Sequence, residues 1–154
     1  MDTPELSRDL LKAGAEYLGA LDTLGLKPEG LTWVYDATQR RFALWLIWAG
    51  VDKYGPYQIN KLLFRAYNAT ALPQEIDPFC VFVISPKSSM GKSLKNFDTH
   101  IQSAFEFGAG EPPNITTIFH IHRDWIYRLG RKPTAVALFN NWQRFSASVD
   151  ALAA

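Results

Sequence analysis

Residues 31–52, LTWVYDATQRRFALWLIWAGVD, decide the fold. Leu31, Trp33 and Tyr35 alternate with Thr32, Val34 and Asp36, the two-residue period of a strand with unlike faces. From Phe42 to Ala49 every position is apolar, as in a strand covered on both sides. Between the two runs, Thr38, Gln39, Arg40 and Arg41 resist burial and mark the solvent end of a hairpin. Trp45 and Ile47 should therefore take one face of the second strand, with Leu44, Leu46 and Trp48 on the other, all buried. A strand apolar on both faces needs helices or a second sheet on each side. The rest of the chain must supply them.

Ahead of the hairpin, Thr3-Pro4-Glu5 has the composition of a helix opening, and the helix is expected to stop at Gly25. Leu6, Leu10, Ala13, Tyr17, Leu21 and Leu24 give it one apolar stripe. Behind the hairpin, Gly55-Pro56 starts a helix to about residue 70, with Ile59, Leu62, Leu63 and Ala66 as its core face. Phe79 to Ile84, FCVFVI, reads as a short buried strand. A helix is expected from Asn96 or Asp98 through Phe107, then a break over residues 108–114 and a long strand from Ile115 to Tyr127. The last helix begins near Thr134, with a stripe of Leu138, Trp142, Phe145, Val149 and Leu152.

The order is helix, strand, strand, helix, strand, helix, strand, helix. It predicts a single domain over residues 1–154, of α/β or α+β class, with a mixed sheet of four to five strands and about four helices. Phe79–Ile84 and Ile115–Tyr127 resemble the strands of a βαβ crossover, which would make them parallel neighbours. The spacing of the last stripe also suits helix pairing, so a homodimer through the C-terminal helix is an alternative to core packing.

Composition narrows the function classes. The chain has 154 residues, 47% of them hydrophobic and 20% charged, as in ordinary globular domains, and a formal charge of +1 imposes no polyanionic partner. The single cysteine, Cys80, excludes an intrachain disulfide and sits among apolar neighbours as a small hydrophobe. The N-terminus is acidic, without the apolar core of a signal peptide, and no window has the length of apolar residues that a membrane span needs. A soluble, cytoplasmic protein without a cofactor is the expectation.

Two motifs could carry chemistry. Ser85 to Ser93, SPKSSMGKS, lies between a strand and a helix, and Gly91-Lys92-Ser93 matches the end of a phosphate-binding P-loop. Pro86 stands where that motif has its first glycine, which excludes the nucleotide-hydrolase family and leaves a simpler anion site. If the two crossover strands end at one edge, Lys87, Gly91, Lys92 and Ser93 meet Arg128, Arg131 and Lys132 there. The second motif is His120-Ile-His122-Arg-Asp124. Alternate positions of a strand share a face, so both imidazoles and the carboxylate could serve one metal, with Phe119, Ile121 and Trp125 opposite. The string is similar to the His-x-His-x-Asp-His of metallo-β-lactamase-type hydrolases, but Trp125 replaces the final His and the chain is too short for that fold. His100 is the one remaining histidine.

With no complete catalytic motif, the expected function is a non-enzymatic binding or regulatory module that recognises a protein or an anionic partner, phosphate or nucleic acid. The alternative is a phosphoester- or nucleotide-processing enzyme using Lys92 and Arg131, metal-dependent through His120 and His122.

Overall fold

In a computed structural model of the chain, residues 4–95, 103–108 and 116–152 are described, with backbone alone at 95, 103–108, 116 and 117. Helix α1 spans Arg8–Leu24. Its cap is Ser7, whose Oγ accepts from the Leu10 amide at 3.2 Å, so the helix begins later than Thr3-Pro4-Glu5 suggests. Gly25 closes it at φ 103°, a left-handed conformation that residues with a Cβ avoid.

The hairpin forms as expected. Strands β1 (Gly30–Asp36) and β2 (Arg41–Ile47) pair antiparallel from Gly30↔Ile47 to Asp36↔Arg41. Asp36 Oδ1 accepts from the Thr38 and Gln39 amides, a side-chain-capped turn. Leu44, Leu46 and Trp48 pack with Ala13, Tyr17 and Leu21 of α1 on one face, while Trp45 and Ile47 join Val34, Ala43 and Ile121 on the other.

A short helix α2 (Val51–Tyr54) follows, then α3 (Pro56–Asn68), which buries Ile59, Leu62, Leu63 and Ala66. The run at 79–84 divides into a 3₁₀ turn, Pro78–Cys80, and a four-residue strand β3 (Val81–Ile84) parallel to β2. Because β3 is an edge strand, it is not the buried strand expected: Phe79 is 75% exposed and Phe82 40%. Helix α4 (Ser89–Lys95) comes next.

The helix expected through Phe107 is corrected where it can be seen. Residues 96–102 lie outside the described residues, and Ser103–Gly108 is a strand, β4, paired antiparallel with β5 (Thr116–Ile121). A short run such as SAFEFG fits both helical and strand periods, and the neighbouring strand decides between them. The long strand expected over 115–127 is interrupted: β5 ends at Ile121, a 3₁₀ turn covers Arg123–Trp125, and β6 spans Ile126–Leu129. Both β5 and β6 pair antiparallel with β1.

The sheet is mixed, in the order β3-β2-β1-β5-β4, with β6 as a sixth strand beside β1. The fold is α+β. The crossover reading fails as stated, since β2 and β1 separate β3 from β5 and β6. The last helix, α5 (Ala135–Leu152), is capped by Thr134 Oγ1, which accepts from the Ala137 amide at 3.1 Å. Its Leu138, Trp142, Phe145 and Val149 are buried in the core with α1 and α3, while Leu152, the last residue of the stripe, is 40% exposed. Helices α1, α3 and α5 thus cover one face, and Leu94 of α4 closes on the other. Among the described residues, no helix is long and apolar enough to cross a membrane.

Candidate anion-binding cleft

Four strand ends stand in one row: Ile84 beside Ile47, Ile47 beside Gly30, Gly30 beside Leu129. Since β1 is antiparallel to β2 and β6, and β3 is parallel to β2, the carboxyl ends of β2, β3 and β6 all lie at this edge. Loops after such ends are where open α/β sheets bind ligands. The Ser85 loop and the Gly130 turn therefore share an edge, as expected, although two strands lie between them.

The loops and the start of the last helix border an open groove of about 630 Å³. Lys53, Lys87 and Lys132 line it, over an apolar floor that includes Ala49, Ala135 and Leu138. Asp52 also lines it and accepts from Ser85 Oγ at 2.7 Å. None of the three lysines forms an ion pair with a described residue. The first turn of α5 opens here, adding the partial positive charge of a helix N-terminus. Beside the cleft, Lys132 and Gly91 line a smaller cavity of about 130 Å³ with Glu29.

The sequence motif supplies only part of this site. Ser85 and Ser88 hydroxyls accept from the Lys87 and Gly91 amides, and the Lys92 amide donates to Ser88 O. Those N–H groups serve the loop itself, not a phosphate. A Cβ on Gly91 would come within 2.3 Å of Ser85 O, so the glycine is there for close backbone packing. Ser93 Oγ donates to Ser89 O inside α4, and Lys92 and Arg131 are exposed and line neither cavity. Arg128 is held elsewhere, by paired hydrogen bonds to Asp22 at 2.6 and 3.0 Å. Those bonds push its already high pKa further up. Lys87 and Lys132 are brought together, while Lys92, Ser93, Arg128 and Arg131 are not. Lys53 was missed; the signal was its place just past the carboxyl end of the second hairpin strand.

The histidines occupy the opposite end of β1, where His120 pairs with Tyr35 and the two rings are 6.3 Å apart. His122 Nδ1 accepts from the Asp124 amide at 3.1 Å and lies 3.4 Å from Asp124 Oδ2. Trp125 does not sit opposite them. The 3₁₀ turn breaks the alternation and packs its indole against Phe42, at 5.2 Å, and His122, at 5.9 Å. Among the described residues, no group of three His, Cys, Asp or Glu side chains could hold a metal ion, and His100 lies outside them. Cys80, the last residue of the 3₁₀ turn before β3, has its thiol pKa pushed up by burial, and two strands lie between β3 and the strand of His120.

Comparison with protein-family models, curated proteins and solved structures finds no match to this chain.

Proposed function

We propose that the protein is a non-enzymatic binding module whose lysine cleft receives an anionic group of a ligand or partner. The observation that carries this reading is the meeting of Lys53, Lys87 and Lys132 with the first turn of an 18-residue helix in one cleft. Three cations face one carboxylate, Asp52, which already accepts from Ser85. All three lysines are exposed, so the attraction they offer an anion is one that salt screens.

The enzymatic alternative combined the loop cations with His120 and His122. Those groups stand at opposite ends of β1, a strand of roughly 20 Å at about 3.3 Å per residue. One small substrate does not reach both, so binding is the reading we prefer.

Titration with inorganic phosphate tests it. Lys87→Ala and Lys132→Ala should each weaken binding while leaving circular dichroism and melting temperature unchanged, and added salt should weaken it in the native protein. Variants that retain native affinity would refute the cleft.

A further inference from the structure

Helix α5 carries an apolar ledge that its core stripe does not use. Val136 and Phe139, three positions apart and so on one side of the helix, are 70% and 47% exposed. The ledge is continuous with the lysine cleft. Ala135 and Leu138 of the same helix line the cleft, and Lys53 Nζ stands 5.9 Å from the Phe139 ring centroid. A bare phosphate would use the cations and leave the ledge in water. An occupant that uses both must carry negative charge beside an apolar group.

We infer that the partner is an acidic protein segment. Its Asp and Glu carboxylates meet Lys53, Lys87 and Lys132, and a neighbouring Leu or aromatic side chain lies on Val136 and Phe139. The inference rests on the anion reading of the cleft and gives that anion a chemical class. Charge complementarity is the first argument, since the cleft offers three lysines and only one carboxylate, itself engaged by Ser85. The second is the layout. An exposed apolar surface with charged groups at its border has the make-up of a protein interface, where a desolvated centre supplies affinity and a charged rim supplies orientation. A nucleic-acid strand asks for something else, cations that follow a backbone over several nucleotides. Here the three lysines line a single cleft.

The experiment uses the full chain and a fluorescein-labelled peptide, Glu-Asp-Glu-Leu-Phe-Glu-Asp-Glu. Its control has Ser in place of Leu and Phe, and inorganic phosphate and an oligothymidylate serve as further probes. The native protein should bind the first peptide about tenfold more tightly than the control. Phe139→Ser, at an exposed position, should keep the fold and phosphate binding and erase the difference between the two peptides. Lys87→Ala should weaken both. Equal affinities for the two peptides, or a difference that survives Phe139→Ser, would overturn the inference while phosphate binding upholds the cleft. Absence of both phosphate and peptide binding would refute the cleft itself. Tighter binding of the oligothymidylate would give the site to nucleic acid. A concentration-dependent dimer abolished by Phe139→Ser would give the ledge to a second copy of this chain. Either result would overturn the acidic segment.

Discussion

Glu29 holds Ala49 by its backbone: the Ala49 amide lies 3.1 and 3.0 Å from the two carboxyl oxygens of Glu29. The contact ties the residue before β1 to the loop after β2, and both ends are buried. Ala49 also lines the cleft. Glu29→Ala leaves a buried amide without its acceptor and should cost about 1–3 kcal/mol. Glu29→Gln, which keeps one acceptor oxygen, should cost less. Chemical denaturation of the two variants checks the order, and a reversed order would contradict the role assigned to Glu29.

The hairpin is the second test. Trp45 and Trp48 are each 1% exposed, on opposite faces of the sheet. Replacing either by Ala should cost about 3–5 kcal/mol, a large part of the roughly 5–15 kcal/mol that holds a domain of this size. Melting temperatures unchanged in both variants would mean that the chain is not built around this element.

Stability should also fall at alkaline pH. Tyr127 Oη accepts from Trp33 Nε1 at 3.0 Å and donates to Leu11 O, so its proton holds β6 to α1. Burial pushes its pKa from 10.0 up to about 12, against a smaller downward pull from the Trp33 bond. A folded-state pKa above the unfolded one gives stability that is full below pH 10 and is lost as pH rises toward about 12. Burial pushes the Tyr17 phenol up as well, in the same direction. Denaturant midpoints measured across this range should decline, and Tyr127→Phe should flatten part of the decline. A midpoint independent of pH through the window would contradict the assignment.

Gly91 separates packing from ligand binding in its loop. An added methyl meets Ser85 O at 2.3 Å and Pro86 Cα at 2.8 Å, backbone atoms that cannot turn aside. Gly91→Ala should therefore cost about 1–3 kcal/mol through overpacking, with phosphate affinity little changed wherever the protein is folded. Unchanged stability with lost phosphate binding would restore the loop as the anion cradle.

What could be read from residue order was what local pattern controls. The faces of β2, the stripe of α5 and the stop at Gly25 follow from periodicity and from one conformational preference. Position in the sheet was not local. FCVFVI looks like a central strand, yet β3 is an edge, and nothing within six residues encodes which neighbours a strand acquires. Ser103–Gly108 fits a helix on its own residues, and its pairing with β5 is what makes it a strand. The cleft was half legible. Lys87 and Lys132 were placed together by supposing parallel neighbours, and the shared strand direction, rather than adjacency, is what joins them. Arg128 looks available for an anion in the sequence because its partner Asp22 lies on a distant helix. Lys53 was overlooked because a lone lysine between Asp52 and Tyr54 carries no motif.

The central claim is that anions enter at Lys53, Lys87, Lys132 and the first turn of α5. Its most direct test is a phosphate titration followed by amide NMR at low salt. The amides of Ala135 and Val136 should shift in a saturable way, while those of Gly91 and Lys92, engaged inside their loop, move little. Lys132→Ala should abolish the shifts. Amides of the first turn of α5 that stay fixed while phosphate is added, or shifts that persist in Lys132→Ala, would contradict the account.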